Sequence, residues 1–488
     1  MHSAHHPEEL FVSPLVGRWA TDEMCRNFGE LHRFRVWRRI WIALAEAQRQ
    51  LGLPIRQEQI DEMRAHADDV DLDLARRYER ELRHDVMAHV RAYGEQCPTA
   101  RPIIHLGATS CDITDNADLI LMREGLLILR GKLLDLIDAL AGFAGKYRRL
   151  PCLGYTHFQP AQLTTVGKRA CLWLQDFTLD LERLEVCQRE LPCRGIKGTT
   201  GTQASFLELF GGDPRKVEEL DQLVTRALGF ERSLPITGQT YTRKIDSDIL
   251  EVLSGVAQSA HKFANDVRLL QGLGELEEPF ETTQVGSSAM PWKRNPMRCE
   301  RMTGLARFII CTAQNAALTA AEQWLERTLD DSSNRRLSLA ECFLAADAVL
   351  QIALNVARGL VVYPAVIARR VAEALPFMAS EIILMDAVRA GGDRQELHER
   401  LRQHAMAAAR RMKEEGAACD LLERIAADDA FAAVRDRLPQ LTRPEDFVGL
   451  APQQVEEYLA SVIAPLRQRF AAEGRAGPES GRNTDLRV

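Results

Sequence analysis

The sequence predicts an all-α protein whose centre is a bundle of long helices. Aromatic side chains make up only 6% of the 488 residues, whereas leucine and alanine are abundant, and this composition favours helix packing over sheets. Five long segments carry apolar side chains at the three- and four-residue spacing of an amphipathic helix. These segments are Thr114–Arg149, Leu163–Leu191, Thr240–Gly272, Pro296–Glu326 and Ser332–Val361. Because such rods cannot bury their apolar sides singly, they require a bundle, with apolar surface left to pack against other subunits.

Smaller helical units are predicted on either side of the bundle. The helices expected before it are Phe34–Leu51, Glu58–Ala65 and Leu72–Gly94. After it we expect shorter helices, with breaks at Pro376 and at Gly391-Gly392, and we expect no strand-rich region. The predicted division is an N-terminal helical domain at 1–111, the central bundle at 112–364, a C-terminal helical domain at 365–474 and a disordered tail at 475–488.

Composition and charge exclude several classes of protein. A net charge of −7 and a pI near 6.0 argue against a nucleic-acid binder, although they leave room for a local basic pocket. The 11 cysteines include no CxxC pair, so neither a zinc site nor a redox motif is predicted. With no signal peptide recognised at the start, we expect reduced thiols and a cytoplasmic location. The most apolar segment, Leu305–Ala321, contains Arg307 and two amides, which predicts a core helix and no membrane span.

The connection Gly286–Met297 joins two of the long helices and collects unusual residues. One glycine, two serines and two prolines within eleven positions prevent a helix from running through it. We expect Pro296 to be the first residue of the next helix, with Asn295 as its cap. Free backbone N–H groups at that helix start, with Lys293 beside them, suit an oxygen nucleophile or an anion. The alternative is an ordinary polar loop between helices.

Two further stretches combine polar and titratable side chains. Arg83-His84-Asp85 falls inside the predicted helix Leu72–Gly94, where successive residues point about 100° apart, so the three should not share one face. A solvated charged face is therefore the alternative to a site. The loop Ile104–Asn116 carries several possible helix caps, and capping the next helix accounts for some of them.

Three separated motifs resemble those of the fumarase/aspartase superfamily. They are GATSCDITDN (107–116), THFQPAQ (156–162) and GSSAMPWKRNP (286–296). Within the superfamily the chain resembles the adenylosuccinate lyase family, of the type found in animals, from about Pro14 to Leu466. The additional segments that carry this closer resemblance are RHDVMAHV (83–90), KGTTGTQASF (197–206), ITGQTYTRK (236–244), ERTLDDSSNRR (326–336) and GLVVYPAVI (359–367).

The resemblance implies a fold and a reaction. It implies small, large and small helical domains, a homotetramer with composite active sites, and no metal or redox cofactor. The implied reaction is β-elimination of fumarate from adenylosuccinate, giving AMP, and from the succinyl-aminoimidazole-carboxamide ribotide of purine synthesis. Such chemistry requires a base, cations or N–H donors facing a carboxylate, and an acid for the departing nitrogen.

The resemblance also implies roles for particular residues. Ser287 becomes the base, with Lys293 and loop N–H groups stabilising its oxyanion. His157 becomes the general acid, and Glu300 its acidic partner; a salt bridge of Glu300 to one of two nearby arginines, Arg301 or Arg327, is the alternative. His84 competes with His157 as the acid, or else orients the phosphate.

A larger set is implied to contact substrate. It comprises Arg18, Trp19, Arg83, His84, Asp85, Thr109, Ser110, Thr156, Gln239, Lys293, Asn295, Arg301, Arg327, Ser332 and Arg336. Trp19 stands where this family commonly has tyrosine, so any contact of a phenolic hydroxyl is lost there. These residues lie on connections at opposite ends of the long helices, so Ser287 and His157 would come from different subunits.

Two other functions remain open at this point. Another fumarate-releasing lyase of the superfamily, acting on argininosuccinate, malate or aspartate, would share the same three motifs. A structural or binding protein could keep the fold without the chemistry, although the intact Ser287, Lys293, Asn295 and His157 argue against it. Either way, the expected partners are small nucleotides and further copies of the chain, with no nucleic acid and no membrane.

Overall fold

A computed structural model describes residues 11–473, and over that range the protein is all-α, as predicted. The predicted disordered tail at 475–488 lies outside the described residues. The bundle of five long helices is also confirmed, and the helices before it are shorter, but the prediction of shorter helices after it is wrong for Pro364–Arg389, which has 26 residues. The predicted domain boundaries remain a prediction.

The N-terminal part contains five helices. They are α1 (Asp22–Asn27), α2 (Glu30–Gln50), α3 (Gln57–Ala65), α4 (Leu72–Leu82) and α5 (Asp85–Gln96). The prediction of one helix from Leu72 to Gly94 is wrong. Arg83 adopts a left-handed backbone with φ 55°, and the ring of His84 accepts a hydrogen bond from the Met87 N–H at 3.3 Å, capping α5. The chain therefore turns at Arg83-His84-Asp85. The three side chains can face the same space, contrary to the expectation from a continuous helix.

The central part contains seven helices, of which five are long. They are α6 (Ser110–Lys146), α7 (Val166–Glu190), α8 (Ala204–Leu209), α9 (Pro214–Ala227), α10 (Lys244–Gly272), α11 (Met297–Ala321) and α12 (Asp330–Gly359). With 37 residues, α6 rises roughly 55 Å. Helix α6 packs against α7 and α12, and α11 lies between α10 and α12. Buried rings such as Trp173 and Phe263, with centroids 5.2 Å apart, fill the space between α7 and α10.

Helix α12 is long and apolar enough to cross a membrane. However, 83% of its most apolar window is buried inside the protein. Its side chains Phe343, Leu350 and Val356 are fully buried among the other long helices. In the described part of the chain α12 is therefore a core helix of the bundle.

A β-hairpin replaces a stretch predicted as loop and helix. Strands β1 (Pro151–Thr156) and β2 (Gln159–Thr165) pair antiparallel, and the short strands β3 (Leu276–Glu277) and β4 (Val361–Val362) pair likewise. The predicted helix start at Leu163 is wrong, because Leu163 to Thr165 extend β2. The Thr165 hydroxyl accepts a hydrogen bond from the Lys168 N–H at 3.1 Å and caps α7 there.

The C-terminal part begins with a longer helix than predicted. Its helices are α13 (Pro364–Arg389), α14 (Arg394–Glu415), α15 (Leu421–Ala427), α16 (Leu438–Leu441), α17 (Ala451–Tyr458) and α18 (Ala464–Ala472). The predicted break at Pro376 is wrong, since Pro376 lies buried inside α13, where the packing of Leu375 and Ala379 offsets the lost hydrogen bond. Helices α13 to α16 enclose a separate apolar core, whereas Val455 of α17 and Phe470 of α18 belong to the core of the bundle.

Candidate active site

A cavity of about 740 Å³ lies between the N-terminal helices and one end of the bundle. Its wall combines α2, the junction of α4 and α5, the start of α6, and the start of α12. The predicted substrate-contacting residues that line it are Arg83, His84, Asp85, Ser110, Gln239, Arg327, Ser332 and Arg336. The structure therefore brings together eight of the predicted residues from four separate stretches of one chain.

The break between α4 and α5 places the triplet on this cavity. Because Arg83 is left-handed and His84 caps α5, consecutive residues face one space instead of spiralling around a continuous helix. The carboxylate of Asp85 accepts a hydrogen bond from Arg336 at 3.1 Å and lies 3.7 Å from the His84 ring. Charges 251 positions apart in sequence thus meet at the cavity wall.

The N-terminus of α6 forms a second part of the wall. Thr109 is the N-cap, in a capping box with Asp112, whose carboxylate accepts a hydrogen bond from the Thr109 N–H at 2.8 Å. Thr109 thus has the structural capping role that the sequence left open. Ser110, the first residue of α6, lines the cavity, where the positive end of the helix dipole favours a negatively charged ligand.

Buried ion pairs hold the floor of the cavity, and sequence reasoning missed them. Arg243 donates to Asp331 at 2.8 Å and to Asp115 at 3.0 Å, and Arg327 donates to Asp331 at 2.9 Å. Burial alone would raise the pKa of Asp115, but the charge of Arg243 and of further arginines lowers it, so the carboxylate stays ionised. The sequence does contain one indication of these ion pairs. It is a charged side chain at an otherwise buried helix position, such as Asp115 in α6.

A second buried cluster lies beside the first. Arg335 donates to Asp246 at 2.7 Å and is paired with Asp118 at 3.0 Å, and it also donates to the Tyr241 hydroxyl at 2.5 Å. Behind it, Arg194 forms an ion pair with Asp112 in which both side chains are fully buried. Buried charge networks of this kind rigidify the part of the structure that they join.

The loop carrying Ser287 lies elsewhere, at the N-terminus of α11. The Ser287 hydroxyl oxygen accepts hydrogen bonds from the N–H groups of Ala289 at 3.3 Å and Met290 at 3.2 Å. The loop closes so tightly that a Cβ on Gly286 would lie 2.0 Å from the Lys293 carbonyl oxygen. Ser287 is half-buried and the Lys293 side chain is exposed. Two N–H dipoles aimed at a serine oxygen are what stabilise negative charge on it.

The predicted cap of α11 is wrong. The helix begins at Met297 with Pro296 in the cap position, and the Asn295 side chain instead donates to the Gly286 carbonyl at 2.8 Å. Asn295 therefore closes the loop across its base, because proline already fixes the backbone where the helix starts.

The start of α11 presents a carboxylate, Glu300, and a cation, Arg301. Glu300 lies 4.0 Å from Arg268, so the alternative salt bridge to Arg301 or Arg327 is not formed. Burial, and secondarily the charge of Arg18, lower the pKa of Arg301. Arg18 belongs to a short π-helical turn, Leu15–Trp19, and Trp19 packs against the main core.

His157 lies at the tip of the β1–β2 hairpin, with Thr156 beside it. His157 and Phe158 both adopt left-handed backbones, with φ 52° and 58°, which form the tight turn. Both side chains are exposed. The hairpin is anchored next to this turn, since the Tyr155 hydroxyl donates to the Glu275 carboxylate at 2.8 Å.

One chain does not unite these groups in a single site. The Ser287 loop lies at the start of α11 and the cavity at its other end, and 25 helical residues separate them by roughly 37 Å. Within residues 11–473, no hydrogen bond or ion pair joins His157 to Ser287. The predicted residues thus fall into a cavity group, a loop group and a hairpin group, and their assignment as one site stays a prediction.

Comparisons with known proteins identify the family. A family model described as lyase matches residues 18–311, and one described as adenylosuccinate lyase C-terminus matches residues 376–458. The adenylosuccinate lyase of Saccharomyces cerevisiae is 51% identical over 463 residues, covering 94% of this chain and 96% of that protein. The chain belongs to the adenylosuccinate lyase family. The Schistosoma mansoni member is 48% identical over 459 residues, covering 94% of this chain and 96% of its own.

Solved structures support the same fold. A fumarate lyase from Mesorhizobium sp. BNC1 superposes with a TM-score of 0.76 at 25% identity, covering 91% of this chain and 98% of that one. A 3-carboxy-cis,cis-muconate lactonizing enzyme from Pseudomonas putida gives a TM-score of 0.79 at 23% identity, covering 93% and 99% of the two chains. The second similarity concerns the fold alone. The architecture of this adenylosuccinate lyase family member is therefore shared with relatives of very different sequence.

Proposed function

We propose that this chain eliminates fumarate from adenylosuccinate, giving AMP, and makes the equivalent cut in the succinyl-aminoimidazole-carboxamide ribotide. The observation that carries the proposal is the 51% identity to a named adenylosuccinate lyase over 463 residues, 94% of this chain. A carbon–nitrogen lyase acting on a nucleotide needs both an anion-binding cavity and an activated base.

Ser287 acts as the base in this proposal. Its oxygen takes the proton next to the succinyl carboxylate, and the N–H groups of Ala289 and Met290, with Lys293 on the same loop, stabilise the serine oxyanion. The electron pair left on carbon spreads into the carboxylate, where a cationic pair such as Arg18 and Arg301 stabilises it.

His157 acts as the general acid. As the carbon–nitrogen bond breaks, its electron pair goes to the departing nitrogen, which takes a proton from the His157 ring, and the carbon–carbon double bond of fumarate forms. Glu300 is assigned as the partner of this histidine, and its exposed position at the start of α11 leaves it available to another subunit. His84, which caps α5 in the cavity, is the competing acid.

The separation of the three groups supports a homotetramer with composite sites. An exposed apolar row on α7, formed by Leu172, Leu179 and Val186, repeats every seven residues, and Leu318 on α11 is 65% exposed. Such stripes on the long helices suit packing against further copies of the chain. We further expect a cytoplasmic enzyme, in keeping with the free state of all its cysteines in the described residues.

The test is turnover by the purified protein. Loss of adenylosuccinate absorbance together with fumarate release supports the proposal. Fumarate release from argininosuccinate, malate or aspartate in place of adenylosuccinate would instead identify another lyase of the superfamily. A folded protein without turnover of any of them would be a binding protein and would reject the enzyme.

A further inference from the structure

A buried carboxylate, Glu275, ties the hairpin that carries His157 to the rest of the chain. Glu275 is not among the predicted site residues, is 1% exposed and lies directly before β3. Its backbone is fixed on both sides, since its N–H donates to the Leu270 carbonyl at 3.0 Å and its carbonyl accepts from the Tyr363 N–H at 3.0 Å. The end of α10 and the start of α13 therefore hold this residue in place.

Three side chains converge on the Glu275 carboxylate. The Tyr155 hydroxyl donates to one of its oxygens at 2.8 Å, and the Nε of Arg370 on α13 donates to the same oxygen at 2.9 Å. The other oxygen lies 3.9 Å from the guanidinium of Arg169 on α7. Burial, and then the hydrogen bond to Glu275, raise the pKa of Tyr155, so the phenol keeps its proton and stays a donor.

Tyr155 is anchored very close to the turn. Only Thr156 separates it from His157, and its ring centroid lies 5.8 Å from that of Phe158. Beyond Tyr155 the pairing of Thr156 with Gln159 closes the hairpin. In the described part of the chain the His157 side chain makes no hydrogen bond of its own. The backbone of the hairpin therefore sets where its ring lies.

The hairpin also bends directly before the anchored residue. Its register shifts between Leu153 and Tyr155. Gly154 occupies the irregular position, where a Cβ would lie 2.8 Å from the Gln162 carbonyl oxygen. Irregularities of this kind bend a strand and re-aim the side chains beside them. The chain thus combines a bend and an anchor within the three residues that precede Thr156.

We propose that Glu275 is a positioning residue for the general acid, and that through Tyr155 it holds the hairpin so that His157 is presented in one place to a neighbouring subunit. This inference rests on the proposed function, in which His157 protonates the departing nitrogen. A displacement of about 1 Å can lower a rate about 10²-fold, so an anchor two residues from the acid affects the chemical step without touching substrate.

The test begins with Tyr155→Phe, which removes one hydroxyl and keeps the ring. We expect single-turnover elimination to slow about tenfold, the effect of losing a hydrogen bond to a charged group, with the Kd for adenylosuccinate unchanged. Glu275→Gln weakens the same connection from the other side and should act alike. The double variant should be no slower than the slower single variant, because both changes break one connection.

Tyr458→Phe is the matched control. Tyr458 is also half-buried, and its hydroxyl forms a hydrogen bond at 2.7 Å with that of Thr178 in the middle of α7. This variant loses a comparable contact without touching Glu275 and should keep the parent rate. A fall of the same size in Tyr458→Phe, an unchanged rate in Tyr155→Phe, or additive losses in the double variant would overturn the positioning role.

Hydrogen exchange of the peptide 151–165 measures the anchor without turnover. Its amides should exchange about tenfold faster in Tyr155→Phe and at the parent rate in Tyr458→Phe. Parent-like exchange in Tyr155→Phe overturns the anchor, whereas faster exchange with an unchanged elimination rate reduces it to a structural contact. A parent without turnover rejects the lyase, and exchange then still decides whether Glu275 holds the hairpin. Should Glu275→Gln not fold, Tyr155→Phe decides alone.

Discussion

The cavity and the Ser287 loop are built in opposite ways. Around the cavity, charges are buried and paired in one chain, as in the pairing of Arg335 with Asp246 at 2.7 Å. The His157 turn is exposed and most of the Ser287 loop is exposed, with Ser287 itself half-buried, and their reactive groups have no hydrogen bond to the cavity residues within residues 11–473. Under the proposed function, the difference means that one chain prepares the cavity for a nucleotide but presents its chemical groups outward, where another copy of the chain can complete them.

The largest effect is expected at the loop. Ser287→Ala should lower single-turnover elimination by about 10³-fold or more, because it removes the oxygen that takes the proton. Binding of adenylosuccinate and the oligomeric state should not change. Ser288→Ala is the matched control, since its side chain is exposed beside Ser287 and has no assigned proton to take. Near-normal turnover in Ser287→Ala would end its assignment as the base.

The two histidines test which region supplies the acid. His157→Ala, at the hairpin tip, should slow the chemical step by about 10²-fold to 10³-fold, the usual contribution of a general acid. His84→Ala should act mainly on KM, because that ring caps α5 at the cavity wall. Rapid-quench measurement of the chemical step separates them. A dead His84→Ala beside an active His157→Ala would move the acid to the cavity.

The buried pairs of the cavity should be costly to break. Arg335→Met leaves Asp246 and Asp118 without their cation and should lower the free energy of unfolding by about 3–5 kcal/mol. The control is Arg402→Met on the surface of α14, which breaks an exposed pair with Glu399 and should cost at most about 1 kcal/mol. Urea unfolding of both variants gives the comparison. Equal losses would mean that the cavity is no more firmly held than the surface.

Gly286 tests whether the exposed loop is nonetheless shaped precisely. Gly286→Ala places a Cβ 2.0 Å from the Lys293 carbonyl oxygen, so the loop must open and the N–H groups above Ser287 must move. We expect kcat to fall about 10²-fold, comparable with the loss of one oxyanion donor. Stability should change little, because most side chains of the loop are exposed. Gly304→Ala, which meets no atom within 4 Å, is the control and should be fully active.

Sequence reasoning predicted the elements whose signal is long and periodic. All five long helices were predictable, because an apolar stripe repeated over so many residues has no other explanation. It failed at the break between α4 and α5, where Arg83 takes a left-handed backbone without a glycine or proline to announce it. Sequence reasoning also missed the β1–β2 hairpin. The short strand β2 leads directly into α7, and from sequence it resembles the first turn of that helix.

The site divides in the same way. The cavity group could be named from the resemblance because its residues lie in recognisable motifs. The ion pairs beneath could not, since Arg243 and Asp115 are 128 positions apart and only the fold makes them neighbours. Whether the three groups meet depends on contacts between copies of the chain, and a single sequence carries no direct record of those contacts.

The smallest expected effect concerns a buried carboxyl inside the bundle. It is measured as the change in the free energy of unfolding with pH. Asp180 on α7 is buried beside Gly255 of α10, and burial raises the pKa of its carboxyl to about 6. Because the folded protein holds this proton more tightly than the unfolded chain does, the stabilisation is complete below about pH 4 and is lost as pH rises through about 6. Asp180→Asn stays neutral, so its advantage in free energy of unfolding over the parent should grow by about 2 kcal/mol between pH 4 and pH 8. Parallel stability curves for the two proteins would show that Asp180 is already ionised at low pH, and that the bundle holds a charge as readily as the cavity floor does.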